Sequence, residues 1–517
     1  MNRGVLLLLV ALAALALRWV DLERRPMHND EAVNAIKFGR LLEQGVYKYD
    51  PNEHHGPSLY YATLAWARLS DAPDFSHFTE SRLRFVTVLF GVGLILVLSL
   101  LSDALGRLGT TWAALFTAVS PAMVFYSRYF IHEILLVFFT FLALAAGWRY
   151  WRTRLVGWAL LAGAAVGLMA STKETFVLTL GAVALALWLN HTWNRLLDAS
   201  GLPIHAPVLN FWHVGGGVVV CVAVAAIFFS SFFSNAAGLA DTLRTYQPWI
   251  KRAGGETPHI HPWYFYLQHL LFFHSGRGPV WTEAVIFLLA LVGALAGFRR
   301  RLLGRANSSF IRFIALYTFL LTAFYSLLAY KTPWCLLSFW LGMMLLAGTG
   351  AAVLVRCVRR PFWKPGLTVL LLASAAHLAW QSWQQNTLYA AAQRNPYVYA
   401  QTSPDLLKLV ARVQSLSAVH SQHSQMLIKV MAPEDDYWPL PWYLRDFKQI
   451  GWWDKVPKDP FASIMIVSAK FDAKLDKNKS HLMVGYFALR PQVFLELYVE
   501  KQLWRDWLAA HLPQPDE

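Results

Sequence analysis

Long apolar runs separated by short polar segments recur along the chain. A bilayer is spanned by about 20 apolar residues in a helix, and flanking aromatic residues extend shorter runs. The pattern predicts a mainly α, polytopic membrane protein of about 11 transmembrane helices. The runs lie near 3–20, 84–101, 111–126, 134–148, 155–171, 175–189, 212–233, 282–298, 313–330, 334–354 and 366–382. No small-residue cleavage site follows the first run, which predicts an uncleaved first helix.

Composition supports the membrane prediction. Of the 517 residues 56% are hydrophobic and only 15% are charged, against about 25% charged in soluble domains. The formal net charge is +15. In a chain this apolar, the excess of basic residues is typical of cytoplasmic loops, and we expect no nucleic-acid partner.

Basic residues are distributed unevenly between the loops, which predicts the orientation. If the N-terminus is cytoplasmic, the inside loops hold most of the basic residues, and the short outside loops hold only Arg128, Lys173 and Lys331. The basic residues inside are Arg107, Arg149, Arg152, Arg154, Arg195, Arg299, Arg300, Arg301, Arg305, Arg356, Arg359, Arg360 and Lys364. An odd number of spans places the C-terminal tail outside.

Two longer segments, 21–83 and 234–281, are also predicted to lie outside. The tail contains β-rich runs at 426–434, 463–469 and 493–501, separated by turn signals. We therefore predict a transmembrane domain over 1–383 and a small extracytoplasmic α/β domain over 384–517.

The adjacent carboxylates Asp30 and Glu31 follow the first predicted helix. A carboxylate at a helix start can act as a general base or a metal ligand. The structural alternative is that Asn29 or Asp30 caps a helix.

Each short outside loop carries one basic residue, and two of them also carry an acid. The basic residues are Arg128, Lys173 and Lys331; Glu133 and Glu174 accompany the first two. Each residue alone could mark a helix end, with its charge reaching toward water. Together they suggest one cavity at the outer leaflet, where cations suit a phosphate and carboxylates suit a metal or a proton.

Histidine and aromatic residues accompany these charges in the longer outside loops. The candidates for lining a substrate site are His54, His55 and Tyr60 in the first loop and His261, Trp263 and Tyr264 in the second. The alternative is structural: a helix start with interfacial tyrosines, and an amphipathic helix at the bilayer surface.

Several short stretches resemble motifs of the GT-C superfamily of membrane glycosyltransferases. They are NDEA (29–32), HHGPSLYY (54–61), Ser127-Arg128 ahead of Glu133, STKET (171–175), HPWYFYL (261–267), YKTPW (330–334) and DYWPLPWYLR (436–445). The superfamily includes protein O-mannosyltransferases and the aminoarabinose transferases that modify lipid A. These stretches also resemble a prokaryotic, flippase-activity-associated branch of the superfamily.

The resemblance implies transfer of a hexose or pentose from a polyprenyl-phosphate donor, with inversion, to a glycan, lipid or protein acceptor. It implies a catalytic role for Asp30, supported by Glu31, and phosphate binding by Arg128, Lys173 and Lys331.

The same resemblance implies that Glu133 and Glu174, with His132, orient the cations or bind a divalent metal. The chain has no Asp-x-Asp sequence, so a metal stays an open alternative and no other cofactor is expected. The implied location is a prokaryotic inner membrane, among membrane lipids, with the active site and the tail outside.

Two other functions are compatible with a polytopic chain. A flippase or transporter would place polar groups at the bilayer midplane on repeated broken helices, whereas these charges lie at helix ends and no repeat is visible. An accessory protein of glycan assembly would not require the acidic pair.

Overall fold

The computed structural model describes residues 3–52, 55–72, 74–196, 209–255 and 259–511. The chain forms two compact units. The first comprises Met1–Leu22, Arg40–Asp71 and Ser81–Tyr399, and the second comprises Glu23–Gly39, Ala72–Glu80 and Ala400–Glu517. The second unit thus combines two pieces of the segment 21–83 with the C-terminal part of the chain.

Helices dominate the described residues. From the N-terminus they are α1 (Arg3–Trp19), α2 (Asn29–Gln44), α3 (Ser58–Leu69), α4 (Glu80–Val97), α5 (Ser102–Val119), α6 (Pro121–Ser127), α7 (Glu133–Thr153), α8 (Val156–Ala170), α9 (Phe176–Leu196) and α10 (Phe211–Phe229). They continue with α11 (Ala237–Arg244), α12 (Tyr246–Ala253), α13 (Phe265–Leu271), α14 (Ala284–Gly297), α15 (Arg300–Leu303), α16 (Ser308–Leu327), α17 (Leu337–Cys357), α18 (Trp363–Asn386), α19 (Asp405–Val419), α20 (Leu440–Tyr443) and α21 (Lys501–His511). The predicted mainly α fold class is confirmed.

Six helical stretches of the described residues are long and apolar enough to cross a bilayer, and three shorter helices are also apolar. The six are Glu80–Val119, Glu133–Thr153, Phe176–Leu196, Phe211–Phe229, Ser308–Leu327 and Pro333–Cys357, and the shorter ones are Gly4–Trp19, Val156–Ala170 and Ala284–Gly297. Each of the eleven apolar runs is mainly helical. The run 84–101 and the first part of the run 111–126 share one helical stretch, interrupted by a 3-10 turn at Leu98–Leu101 and by Gly106, whose φ is +73°, and the end of the second run forms α6.

Helix α17 is buried on all sides over most of its length, as expected for a helix without a polar face. Glycines allow it to approach its neighbours closely. A methyl group added at Gly350 would lie 1.9 Å from the Leu289 carbonyl oxygen of α14, and one at Gly293 of α14 would lie 2.0 Å from the Leu346 oxygen. Small residues of this kind bring the backbones of membrane helices into van der Waals contact.

Arg18, in the last turn of α1, is fully buried. Its guanidinium donates to the carbonyl oxygens of Thr117 (3.0 Å) and Ala118 (2.8 Å), at the end of α5. The last carbonyls of a helix lack intrahelical partners. Arg18 therefore provides hydrogen-bond donors for the last carbonyl groups of α5, and these carbonyl groups stabilise the buried positive charge.

Glu283, immediately before α14, joins four segments of the first unit. One carboxylate oxygen accepts from the Ser120 hydroxyl (2.5 Å), and the other accepts from the Ala122 amide (2.8 Å) and the Tyr397 hydroxyl (2.5 Å). Trp340 of α17 donates to Ser120 (3.1 Å). Each oxygen of this buried side chain is thus hydrogen-bonded, as burial requires.

The second unit contains a five-stranded sheet. Its strands are β1 (Ile428–Met431), β2 (Ile450–Trp453), β3 (Ile464–Ser468), β4 (His481–Arg490) and β5 (Val493–Glu500), in the order β2-β1-β3-β5-β4. β1 pairs in parallel with β2 and β3, while β5 pairs antiparallel with β3 and β4. The small C-terminal α/β fold is confirmed.

Apolar side chains cover both faces of this sheet. One face, with Ile428 and Val430, packs in a core with α19 residues such as Leu406 and Leu409. Met431 and Met465 belong to a second core. β1 and β3 are buried throughout, which explains why their sequences do not alternate between apolar and polar residues. β1 includes one charged residue, Lys429, whose ammonium donates to the Asp459 carbonyl (2.7 Å).

The three β-rich runs predict β1, β3 and β5 correctly. β2 and β4 are additional. β2 is a four-residue strand, and the register of β4 shifts between Met483 and Gly485, so neither has a regular period-two pattern of useful length.

Replacing Glu283 with alanine should destabilise the first unit. Ser120, the Ala122 amide and Tyr397 would lose their common acceptor, at about 1–3 kcal/mol for each buried group left without a partner. The measurement is thermal unfolding of the purified protein in detergent. Glu43→Ala, at an exposed position of α2, should stay within about 0.5 kcal/mol of the parent protein; equal effects of both changes would contradict the role of Glu283.

Candidate functional site

Helix α2 begins at Asn29, and its first hydrogen bond runs from the Ala32 amide to the His28 carbonyl (3.0 Å). The N-cap is therefore His28, and the prediction that Asn29 or Asp30 caps the helix is wrong. The Glu31 carboxylate, three residues into the helix, accepts from the His28 amide (3.0 Å). His28 Nδ1 accepts from the Asp30 amide (3.1 Å). The longer glutamate thus does the capping, as in a capping box.

The two adjacent carboxylates have different environments. Glu31 is fully buried, and Arg25 Nη2 lies 3.4 Å from both of its carboxylate oxygens. The Asp30 side chain is 48% exposed. Glu31 is committed to the helix start, whereas Asp30 is presented at the positive end of the helix dipole, where a carboxylate is stabilised. Both belong to the second unit.

In the first unit, the segment from His55 to Ser58 runs beside the loop between α8 and α9. The Gly56 amide donates to the Thr172 carbonyl (3.0 Å), and the Ser58 amide donates to the Ser171 carbonyl (2.9 Å). The hydroxyls of Ser58 and Thr172 lie 2.7 Å apart. A methyl group added at Gly56 would lie 2.2 Å from the Ser171 oxygen. This close approach explains the glycine in HHGPSLYY.

Two histidines extend this contact. His55 Nδ1 lies 2.8 Å from Glu174 Oε2, and His132 Nε2 lies 2.9 Å from the Gly56 carbonyl oxygen. Burial acts to raise the pKa of Glu174, but His55 lowers it, and the net shift is downward. Tyr60 is fully buried with its ring 5.6 Å from that of His132. Tyr60 therefore supports His132 rather than facing solvent. His54 lies outside the described residues.

Lys173 and Glu133 form a buried ion pair between the α8–α9 loop and the start of α7. Burial acts to lower the pKa of Lys173, but the Glu133 carboxylate raises it, and the net shift is upward. Each charge is thus compensated by the other inside the protein.

The loop around Lys331, the last of the short loops predicted to lie outside, pairs with the segment around His259. A β-bridge joins Ile260 to Tyr330, and the Lys331 amide donates to the His259 carbonyl (2.9 Å). The hydroxyl of Tyr399 lies 2.8 Å from His259 Nδ1 and 3.1 Å from His261 Nε2. Sequence reasoning missed Tyr399, because it lies 138 residues from His261 and no motif contains it.

The Lys331 side chain differs from that of Lys173. Its ammonium donates to two carbonyl oxygens, those of His261 (3.1 Å) and Leu328. Burial lowers its pKa. No carboxylate within the described ranges pairs with Lys331, so its charge is solvated by dipoles alone.

The other predicted site residues of the first unit lie in separate positions. Arg128 is buried, and its guanidinium donates to the Asp21 carbonyl (2.9 Å). Trp263 and Tyr264 are exposed just before α13. The first unit thus brings together His55, His132, Glu133, Lys173 and Glu174, and it also places His261 beside Lys331.

The donor set does not fit a metal. No three His, Cys, Asp or Glu side chains of the described residues form a group that could hold an ion. Glu133 pairs with Lys173, Glu174 pairs with His55, and His132 contacts a carbonyl oxygen. These contacts engage Glu133 Oε1, Glu174 Oε2 and His132 Nε2.

Comparisons with known proteins agree on the fold. The family model described as dolichyl-phosphate-mannose-protein mannosyltransferase matches residues 59–237. The structure is similar to ArnT from Cupriavidus metallidurans bound to undecaprenyl phosphate, with a TM-score of 0.66 and 14% identity, covering 96% of this chain and 98% of that one. No curated protein matches the chain in sequence at a significant level.

A second similar structure is the oligosaccharyltransferase AglB from Archaeoglobus fulgidus in complex with an inhibitory peptide and a dolichol-phosphate. The TM-score is 0.52 at 12% identity, covering 98% of this chain and 77% of that one. The resemblance to the GT-C membrane glycosyltransferases is therefore confirmed, and the chain has an ArnT-like GT-C fold.

Replacing Gly56 with alanine should separate the His55 segment from the α8–α9 loop. The added methyl group overlaps the Ser171 backbone, and overpacking of this kind costs about 1–3 kcal/mol. The check is thermal unfolding, together with hydrogen exchange at Ser58, which should speed up. Gly147→Ala is the matched control because nothing lies within 4 Å of its added methyl group. Equal destabilisation by both changes would refute the role of Gly56.

Proposed function

We propose that this protein is a membrane glycosyltransferase that transfers a sugar from a polyprenyl-phosphate donor to an acceptor on the extracytoplasmic side. The observation that carries the proposal is the presentation of Asp30 on a GT-C fold. Its side chain is 48% exposed at a helix N-terminus, while the adjacent Glu31 is buried and committed to the helix cap.

The chemistry needs a base and a stabilised leaving group. A hydroxyl or amine of the acceptor attacks the anomeric carbon, and its proton passes to the Asp30 carboxylate. The bond from the anomeric carbon to the phosphate oxygen breaks, and its electron pair remains on that oxygen. Attack from the face opposite the phosphate inverts the anomeric configuration.

The leaving phosphate gains negative charge as the bond breaks, so a cation contributes most in the transition state. Lys331 is suited to this role because only carbonyl oxygens hold its ammonium. The compensated Lys173 is suited to a structural role, in which Glu133 fixes its position. Arg128 is a second candidate for phosphate binding.

The comparisons support the donor class. The ArnT structure is bound to undecaprenyl phosphate and the AglB structure contains a dolichol-phosphate. Nucleotide sugars are absent outside the cytoplasm, so a donor used there must carry its sugar on a lipid. We propose a prokaryotic inner membrane as the location, with a cytoplasmic N-terminus. The sugar is a hexose or a pentose, and His261, Trp263 and Tyr264 provide surfaces for it.

Replacing Asp30 with asparagine should abolish sugar transfer while folding and membrane insertion stay normal. Asparagine keeps the size of the side chain but cannot take up the acceptor proton, and loss of a general base lowers rates by about 10²–10⁴-fold. The measurement uses membranes supplied with a radiolabelled polyprenyl-phosphate sugar pool, with protein levels matched.

Asp74→Asn is the control, since Asp74 is also an exposed first-loop carboxylate, 54% exposed, and should retain transfer. Equal labelling by the parent and Asp30→Asn proteins would exclude Asp30 as the base. It would favour a transporter or an accessory protein of glycan assembly. The labelled product also identifies the acceptor class.

Replacing Lys331 with methionine should weaken stabilisation of the leaving phosphate without unfolding the protein. A hydrogen bond to a charged group contributes about 1.5–3 kcal/mol, so kcat/KM for the donor should fall roughly 10- to 100-fold, mainly through kcat. Lys173→Met should instead lower the thermal unfolding midpoint, because it leaves Glu133 buried and unpaired at about 3–5 kcal/mol. The opposite assignment of the two effects would contradict these roles.

A further inference from the structure

The motif DYWPLPWYLR (436–445) lies between β1 and β2 and includes α20, but it contributes no strand to the sheet. Leu440, Trp442 and Leu444 are fully buried. Because the proposed reaction uses no residue of this motif, its place in the second unit needs a separate explanation.

The motif contacts the backbone just ahead of the Asp30 helix. The Met27 amide donates to the Tyr443 hydroxyl (2.8 Å). Two residues at the start of the C-terminal segment hold the same stretch: Thr402 donates to the Met27 carbonyl (2.6 Å), and Gln401 donates to the Pro26 carbonyl (2.9 Å). The residues preceding the N-cap His28 are therefore fixed by three hydrogen bonds from the C-terminal part of the chain.

The motif also contacts a second piece of the first loop. Trp442 Nε1 donates to Glu80 Oε1 (2.9 Å), and Arg445 Nη2 donates to the Phe78 carbonyl (3.0 Å). The ring of Phe75 lies 5.6 Å from that of Trp442.

This piece of the first loop in turn contacts α2 at residues 38–39, which follow Asp30 in the helix. Phe38 of α2 packs against Phe78, with ring centroids 4.9 Å apart. A methyl group added at Gly39 would lie 2.9 Å from the Phe75 ring. The motif thus holds the chain both before and after Asp30. It contacts Met27 directly, and it contacts residues 38–39 through Phe75 and Phe78.

We infer that Tyr443 and Trp442 are positioning residues for the glycosyl transfer, holding the helix that carries Asp30 in its reactive direction without touching the substrate. The inference rests on the proposed role of Asp30. The Asp30 side chain is partly exposed, so its direction depends on the backbone of α2. A displacement of about 1 Å in a reacting group can lower a rate by about a hundredfold.

Tyr443→Phe tests this inference, since it keeps the ring and removes the hydroxyl that accepts from the Met27 amide. We expect kcat to fall roughly tenfold with KM for the donor unchanged, because the base is misdirected while the donor contacts stay intact. Hydrogen exchange over residues 24–39 should speed up in the same protein. Trp442→Phe, which removes the donor to Glu80, should act in the same direction.

Tyr437→Phe is the matched control. It makes the same chemical change in the same motif, but the Tyr437 hydroxyl donates to the exposed carboxylate of Asp435 (2.8 Å). Both kcat and the exchange over 24–39 should stay at the parent values.

A double variant separates positioning from general stability. In the Asp30→Asn protein there is no base to direct, so adding Tyr443→Phe should lower the residual rate no further. An equal fold-loss in both backgrounds, or a parental kcat in Tyr443→Phe, would overturn the inference. If Asp30→Asn itself kept full transfer, the proposed function would fail instead, and exchange at Met27 would still report whether Tyr443 holds this backbone.

Discussion

A charged side chain buried among apolar helices must be stabilised by the protein itself, because desolvation of an ion is otherwise too costly. The first unit meets this requirement in three ways. Lys173 is neutralised by Glu133, Arg18 caps the end of α5, and Glu283 is hydrogen-bonded by an amide and two hydroxyls. Lys331 is the contrast, since carbonyl dipoles hold its charge without a paired carboxylate among the described residues. The difference separates charges that pair with an opposite charge or a helix end from one held by carbonyl oxygens, and this difference is the basis of the proposed role of Lys331 in phosphate binding.

The neighbouring acids Asp30 and Glu31 differ by one methylene group, and this difference decides their roles. Glutamate at the third helical position is long enough to reach the amide of His28, and the arginine at position 25 lies beside it. Successive residues of a helix point about 100° apart, so the Asp30 side chain leaves the helix in another direction than that of Glu31, with its Oδ2 atom 3.9 Å from His28 Nδ1. The helix start thus uses one carboxylate for its own stability and leaves the other exposed. Both observations favour Asp30 over Glu31 as the residue that meets a substrate.

The apolar runs were enough to predict the helical fold, since each run is mainly helical, and three of the five strands followed from continuous β-rich runs. The cap of α2 was mispredicted because the preference for Asn and Asp at N-caps is a local average, whereas Glu31 and His28 act together. Tyr399 and the contacts of Tyr443 could not be predicted, since they join residues distant in sequence and have no periodic pattern. The ion pair of Lys173 with Glu133 was foreseen only as a shared cluster of charges. The sequence shows which residue types are available, whereas the pairing of distant residues depends on tertiary packing.

The hydrogen bond between Met27 and Tyr443 joins residues 416 positions apart. At translation rates of about 5–20 residues per second, the ribosome needs roughly 20–80 seconds to reach the second partner after the first. During that interval α2 has neither the tyrosine hydroxyl nor the Trp442 contact, so the Asp30 helix acquires this support only after residue 443 has been made. A chain interrupted before the motif would contain the apolar helices that precede it but would lack these contacts. The order of synthesis therefore places the transmembrane helices before the support of the acidic helix.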